Sequence, residues 1–545
     1  MAERTLTAVS DRAGRWRWVA LAAALVLLDA SITFSNVWPT PAVRWGGELS
    51  IELAVCLFLM AVASRRFGPP ARVVIRGLAA LWVILMIGRY AEVTAPALYG
   101  REINLYWDVR HVSAVAAMLA RAASSWLVLV AAGTAVLIPL LLYAALGWAL
   151  GCVSDSMGRP RERRLLGWLG GIAVLLFLGQ RLSDRVPAVP AFSTPVTQTY
   201  ARQARLLAAE LTARRASALG PGPSFDSDLA GVKGADVFLC FIESYGAVSF
   251  DRPAFVERLA ASRAQLDADI HATGRDVVSA YVESPTFGGN SWLAHISLLT
   301  GIEVRDEDTN VLLMAQKRDT LATAFARHGY RTIAIMPGLQ SSWPEGVFYG
   351  FNDIYSAERL EYRGPPIGWW TIPDQFAIAR MDATEVAPEP RAPLFVFFPT
   401  IGTHTPFRPV APYQPDWARM LTDRPYDDTD VDRVWAQQPD WLNLGPSYVQ
   451  ALSTTYASLG GYLHRRADRD FVMILIGDHQ PPAAVAGERA RWDVPVHVIA
   501  SRPRVLERLM AHGFQSGLTP RSPAVARMHE LLTFLLDAFG EHRDD

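Results

Sequence analysis

Five apolar runs crowd into the first third of the chain: Trp18–Val37, Leu49–Ser64, Val73–Val93, Trp126–Leu150 and Leu165–Gln180. Apolar stretches near 20 residues match a hydrocarbon core of about 30 Å. Residues 1–184 are therefore expected to form a five-helix transmembrane domain. The first run is too long for a signal-peptide core, and no small-residue cleavage site follows it. Arg4, Arg12, Arg15 and Arg17 precede the first run. Arg65, Arg66, Arg72 and Arg76 sit between or beside the second and third, and Arg159, Arg161, Arg163 and Arg164 between the fourth and fifth. These clusters fall on one side of the expected membrane, which the excess of positive charge makes cytoplasmic. An odd number of spans then puts everything after about residue 185 outside the cytoplasm.

Two polar features interrupt this region: Asp29 in the first run, and Arg89 with Glu92 near the outer end of the third. Ionisable groups inside a membrane mark substrate contacts or satisfied structural positions. Two of the three lie near the interface, where charge is cheap, which favours the structural role. Residues 99–121, with Tyr106 and Trp107, are amphipathic and are expected along the outer membrane surface.

Beyond this region the composition excludes several classes. The 545-residue chain is 51% hydrophobic and 19% charged, unlike a disordered or fibrous protein. Its 52 basic and 53 acidic residues give a net charge of −1, so no global field recruits nucleic acid. Cys56, Cys152 and Cys240 are too few for a disulfide framework and lack zinc-ribbon spacing.

Residues 185–233 read as an extracytoplasmic linker. A Pro-rich stretch, VPAVPAFSTPV, leads into a helical pattern over 197–218, and GPGPSFDSD breaks it. From 234 to 545 the pattern is that of an α/β domain. Short apolar runs at Asp236–Ile242, Thr332–Met336, Leu394–Pro399, Phe471–Gly477 and Val494–Ala500 are expected strands buried on both faces. Helical stretches such as Ser291–Thr300 and Asp319–His328 lie between them. Such alternation predicts a sandwich around a mostly parallel sheet.

In sheets of this kind, chemistry gathers beyond the carboxyl ends of the strands. Glu243-Ser244 follows the first run, Gly402-Thr403-His404-Thr405-Pro406 the third, and Asp478-His479 the fourth. Glu, Asp and His are ligands for a divalent cation of the zinc or manganese type. Gly288-Gly289-Asn290-Ser291 then offers a nucleophile at a helix start, where the backbone favours an alkoxide and a bound phosphate. A helix-capping role is the ordinary use of such a serine; the three ligand-bearing strand ends outweigh it here. Thr286 is the rival nucleophile. His295, one turn after Ser291, faces the site or packs under the sheet. His497 reads as core, His464 and His512 as surface, and Asp374 and Gln375 as candidate pocket residues.

At these residues the chain resembles the membrane branch of the alkaline phosphatase and sulfatase superfamily. That branch includes lipoteichoic acid synthase and the phosphoglycerol and phosphoethanolamine transferases. The resemblance rests on Glu243-Ser244, Gly289–Gly301, Gly402–Phe407 and Gly477–His479. It implies an alkaline phosphatase-like sandwich on a bacterial plasma (inner) membrane anchor, with the catalytic domain extracytoplasmic. It implies one divalent ion (Mn, Zn or Mg) held by Glu243, Ser291, Asp478 and His479, with Ser291 as nucleophile. His404 is implied at the substrate phosphate or leaving group, and Trp343 in the head-group pocket. The implied reaction moves a phosphoglycerol- or phosphoethanolamine-type group from a membrane phospholipid to a glycan or lipid acceptor through a phosphoserine. A phosphodiesterase, phosphatase or sulfatase-like hydrolase is the alternative. The sulfatase signature carries Pro and Arg where this chain has Leu293 and His295, so conversion of the serine to an aldehyde is not expected.

Overall fold

The computed structural model describes residues 2–38, 40–99, 103–105, 108–109, 112, 116, 125–182, 191–211, 219–340, 343–368 and 370–541. Tyr106, Trp107 and most of the expected surface helix lie outside the described residues. So do residues 183–190, at the junction of the expected transmembrane region and the linker, residues 212–218 of the linker, and the charged tail from 542. The chain divides into two compact units, Met1–Ala97 with Glu102–Arg215, and Leu98–Arg101 with Ala216–Asp545.

In the first unit the helices are α1 (Ala2–Thr33), α2 (Ile51–Phe67), α3 (Arg72–Tyr99), α4 (Ser125–Met157), α5 (Pro160–Leu182) and α6 (Val196–Leu211). Four of them, α1, α3, α4 and α5, are long and apolar enough to cross a membrane. The residues of the expected second span form α2, a helix of 17 residues that is not among those four, so four of the five expected spans are matched. Its seam is built at helical spacing: Leu21, Ala24, Leu28 and Ile32 of α1 are buried with Leu53, Leu57 and Met60 of α2 and Leu146, Leu150 and Val153 of α4. A Cβ at Gly170 would press on the Ala54 carbonyl at 2.6 Å, so the missing side chain is what lets α5 approach α2. Outward positions of α4, including Leu129, Val136, Leu137, Leu140 and Leu141, remain exposed, as a lipid-facing surface requires.

Arginine-rich helix ends gather at one end of this unit. Arg17 pairs with Glu162 at 3.2 Å, and Arg163 donates to the Ser64 carbonyl at 3.3 Å. At the other end Asp29 Oδ1 accepts from the Ser50 amide at 2.8 Å, and Arg89 Nε donates to the Phe34 carbonyl at 2.9 Å. These are the contacts expected of structural polar groups.

The second unit is a three-layer α/β sandwich. In chain order its main elements are β1 (Asp236–Ile242), α7 (Pro253–Ala272), β2 (Asp276–Glu283), α8 (Ser291–Thr300), β3 (Arg331–Met336), β4 (Asp353–Ser356), α9 (Asp374–Met381), β5 (Leu394–Pro399), α10 (Gly445–Arg465), β6 (Phe471–Gly477), β7 (Asp493–Ala500), α11 (Pro503–Ala511), β8 (Gln515–Ser516), β9 (Ala526–Arg527) and α12 (Leu531–Phe539). The sheet order is β8-β2-β7-β6-β1-β5-β3-β4, with β9 also on β2. From β6 to β4 the neighbours are parallel, but β7 runs antiparallel to both β6 and β2, and β8 antiparallel to β2. The expected mostly parallel sheet is thus a mixed one. Apolar periodicity reports burial on both faces and is blind to strand direction, so β7 and β6 read alike in sequence.

Side chains of β1 divide between the layers with a period of two. Phe238, Cys240 and Ile242 join the core formed with α7 and α10; Val237, Leu239 and Phe241 join the core formed with α8 and α12. Phe225 and Leu229, just upstream, already pack into the second of these cores.

Candidate functional site

The adjacent central strands β1 and β6 end side by side, and the chain there passes through a strained turn. Ser244 sits at φ +57°, a left-handed conformation that costs a non-glycine residue roughly 1–2 kcal/mol. The turn is held by the opposite strand end: the Ser244 amide donates to Asp478 Oδ1 at 2.8 Å. The approach is close enough that a Cβ on Gly477 would collide with the Tyr245 carbonyl. Glycine at 477 therefore lets Glu243 and Asp478 share one point in space.

Glu243, Asp478 and His479 are all buried, and their ligand atoms lie within 4.8 Å of one another. His479 Nε2 stands 3.5 Å from Glu243 Oε1 and 3.5 Å from Asp478 Oδ2. The other ring nitrogen, Nδ1, donates to the Gln480 carbonyl at 2.7 Å, which fixes the ring and aims Nε2 at the carboxylates. Burial first, and then the neighbouring Glu243 carboxylate, push the Asp478 carboxyl up to about 7. Burial alone would lower the His479 imidazole, but Asp478 and Glu243 outweigh it and raise it. Two carboxylates and an imidazole turned on one another in a buried pocket have the donor types and spacing of a divalent-cation site. The residues fit a divalent ion.

Ser291 joins them from the other side. Gly288, Gly289 and Asn290 take φ values of +66°, +147° and +62°, three successive positive angles that reverse the chain and start α8 at Ser291. The Ser291 hydroxyl donates to Glu243 Oε2 at 3.0 Å and lies 3.2 Å from His479 Nε2. The rival Thr286 is occupied elsewhere, since its hydroxyl donates to the Gly289 carbonyl at 2.7 Å.

The remaining expected residues are less uniform. His404 Nδ1 donates to the Thr405 carbonyl at 2.7 Å, and its ring meets Trp370 edge-on at 5.6 Å. Burial lowers its pKa, and the charges of His479 and Asp478 also reach it. His295 packs against Phe241 and Phe397 at centroid distances of 4.5 and 5.4 Å, on the sheet, and burial brings its pKa down to about 4. Trp343 lies against Tyr349 at 5.3 Å, in the core that includes α8. His497 is core, bonded to Tyr245 and Ser279.

Sequence reasoning missed the residues that hold Glu243 in place. Thr400 Oγ1 accepts from the Glu243 amide at 3.1 Å, and the Thr403 hydroxyl donates to the Glu243 carbonyl at 2.5 Å. Asp374 accepts from the Ile401 and Gly402 amides at 2.9 and 2.8 Å, with burial raising its carboxyl to about 6. The available signal was Thr-x-x-Thr directly after β5, a strand end that drew notice only for its histidine.

Residues 292–498 match the sulfatase family. By that match the globular unit carries a domain of the alkaline phosphatase and sulfatase superfamily, a superfamily of enzymes. No curated protein matches the chain. Among solved structures, the integral membrane lipooligosaccharide phosphoethanolamine transferase A (EptA) of Neisseria meningitidis is 14% identical with a TM-score of 0.46. That match covers 89% of this chain and 87% of that one. The lipoteichoic acid synthase LtaP of Listeria monocytogenes is 13% identical with a TM-score of 0.35, covering 58% and 79%. An alkaline phosphatase superfamily protein of Vibrio parahaemolyticus is 17% identical with a TM-score of 0.34. It covers 52% of this chain, which spans 64% of that one.

Proposed function

We propose that this protein is an integral-membrane, metal-dependent phosphotransferase whose globular unit works outside the cytoplasm. One observation carries the reading: the Ser291 hydroxyl opens a helix 3.0 Å from Glu243 Oε2 and 3.2 Å from His479 Nε2, at a buried three-ligand cluster. Glu243, Asp478 and His479, with Ser291, would hold one divalent ion of the Mn, Zn or Mg type. When bound, that ion supplies neutralising charge at a phosphoryl oxygen and favours the serine alkoxide.

The chain's own residues do the rest. The Ser291 hydroxyl already donates its hydrogen bond to Glu243 Oε2, which is placed to take the proton as Oγ attacks. The α8 N-terminus directs backbone N–H groups at an incoming phosphate. Ser291 Oγ attacks phosphorus of a phospholipid head group; the Oγ–P bond forms, the P–O bond to the lipid alcohol breaks, and that alcohol leaves with the proton that Ser291 gave up to Glu243. His404 is held neutral by burial, with Nδ1–H turned to Thr405. It is suited to take the proton of the acceptor hydroxyl that next attacks the phosphoserine. The resemblance to the membrane transferases supports a phosphoglycerol- or phosphoethanolamine-type group and a glycan or lipid acceptor.

The membrane topology follows the same reading. At 1.5 Å per residue the 17-residue α2 spans about 25 Å, short of the core by an amount bilayers absorb. The gathering of Arg17 and Arg163 at one end of the helices supports five spans with that end cytoplasmic.

The test is to incubate the full chain in detergent with a fluorescent phospholipid and map phosphate adducts by mass spectrometry. A head-group adduct on Ser291 and released diacylglycerol are expected. An adduct on Thr286, or turnover unchanged in Ser291→Ala, overturns the reading.

A further inference from the structure

In the helical unit α5 packs on α2 through its glycines. A Cβ at Gly167 would stand 3.0 Å from Ala61, and one at Gly170 would press on the backbone of Ala54 and Phe58. As the α5 contacts advance from 167 to 170, their α2 partners go back from 61 to 54, so the two helices are antiparallel. At 3.6 residues per turn each helix also carries a stripe about 100° round from this seam. On α5 it runs Arg161, Arg164, Trp168, Ile172 and Leu175. On α2 it runs Arg66, Val62, Leu59 and Val55. Every one of these side chains is exposed. The two offsets have the same rotational sense, which in an antiparallel pair puts both stripes on one side. Each stripe starts with arginine at the arginine-rich end of the unit and continues as apolar side chains for about three turns.

The fold does not answer these charges. Among the described residues Arg66, Arg161 and Arg164 form no ion pair. Glu162, the buried acid between the α5 arginines, is taken by Arg17 at 3.2 Å and Arg159 at 3.1 Å. Three uncompensated guanidiniums at the head of two apolar stripes match a lipid with a net negative head group. Its phosphate oxygens accept from the guanidiniums, and its two acyl chains follow the stripes. The Trp168 ring comes one turn after Arg164, at the head-group level where indoles concentrate. A nucleic acid or an acidic protein would meet the arginines and leave the apolar stripes uncovered. A zwitterionic lipid would bring its own cation against the same three charges.

We propose that this side of the α2–α5 pair binds an anionic phospholipid, with its phosphate at Arg66, Arg161 and Arg164. The membrane-topology reading supplies its leaflet, the cytoplasmic one; the phosphotransferase reading is not needed for it. The test is native mass spectrometry of the full chain in detergent, titrated with phosphatidylglycerol or with phosphatidylcholine of the same acyl chains. An arginine near an anionic lipid surface is worth about fivefold in affinity, so phosphatidylglycerol should bind at least about tenfold tighter. Inorganic phosphate should not displace it. Arg161→Gln combined with Arg164→Gln should weaken phosphatidylglycerol at least about fivefold and leave phosphatidylcholine unchanged. Arg66→Gln, on the other helix, should act in the same direction, and Arg44→Gln, between α1 and α2, should change nothing. All four side chains are exposed, so the variants should fold, which melting curves check. Equal binding of the two lipids, displacement by phosphate, affinity unchanged in both the α2 and the α5 variants, or an equal loss in Arg44→Gln overturns the site. A preference abolished by chelation assigns the lipid to the cation cluster and overturns it too. A preference that survives in a protein inert toward phosphodiesters keeps this site and removes only the phosphotransferase reading.

Discussion

Both units bury charge, and the buried charges of the helical unit and those of the candidate site are treated in opposite ways. In the helical unit the buried ionisable groups among the described residues meet complementary partners: Asp29 the Ser50 amide, Arg89 the Phe34 carbonyl, Glu162 the guanidinium of Arg17. In the globular unit Glu243, Asp478 and His479 are turned toward one another, and like charges share the space. Charge satisfied by its own fold is scaffolding. Charge gathered against its own sign is stable only if something else is to be bound, which is why the second arrangement marks a site.

The sharpest break of this contrast is chemical. Ser291→Ala should lower phosphodiester turnover by at least about 10³-fold, since a lost nucleophile acts on the rate, whereas α8 is capped at Asn290 and the Ser291 hydroxyl, turned to Glu243, supports no helix N–H. Ser291→Thr should retain part of the activity, and Thr286→Ala nearly all of it. Initial rates with bis(nitrophenyl) phosphate read all three.

Next comes the cation. An ion present at 100 times its dissociation constant adds about 2.7 kcal/mol to the native state. Chelation should therefore lower the melting temperature of the globular unit by several degrees, and Mn, Zn or Mg should restore it. No metal by elemental analysis and an unmoved melting curve would count against the cluster as a site.

Smaller is a pH effect located at His497. Burial brings its pKa down to about 3, from an ordinary value near 6.5. The unfolded chain takes up a proton below about pH 6.5 that the native state refuses. This contribution to stability is whole above 6.5 and falls as the pH drops toward 3. Denaturant midpoints between pH 7 and 5 should decline, and His497→Asn should flatten that slope.

The smallest effect belongs to the helical unit. Asp29→Asn keeps an oxygen to accept the Ser50 amide, so turnover should stay within about twofold and stability within about 1 kcal/mol. A large loss of activity would make Asp29 a functional group and erase the contrast.

Much of this was legible in the amino-acid order. Asp236–Ile242, Leu394–Pro399 and Phe471–Gly477 read as strands because both their faces are buried, and the structure forms them over those residues. Glu243, Ser291, Asp478 and His479 stood out because they follow strands or open a helix, and the structure brings them together. The direction of β7 was hidden, since hydrogen-bond polarity leaves no mark on hydropathy. Asp276–Glu283 opens on an exposed Asp276 and carries Ser279, whose hydroxyl is used inside the sheet, so it lacked the unbroken apolar look. The pocket beside His404 was legible only in part: Asp374 and Gln375 read as pocket residues, while Trp370, Arg408 and Tyr426 come from separate stretches that only the folded backbone brings to one lining.

Thr400 and Thr403 grip the backbone of Glu243 from both sides, and Asp374 anchors the segment between β5 and His404. One jaw of the candidate cation cluster and one wall of the pocket are thus joined through the same short segment. If a guest on that wall tightens the ion, linkage makes the effect mutual, and the ion tightens the guest in the same proportion. Affinity for the ion measured with and without such a guest would expose that exchange, and equal values would show the joint to be slack.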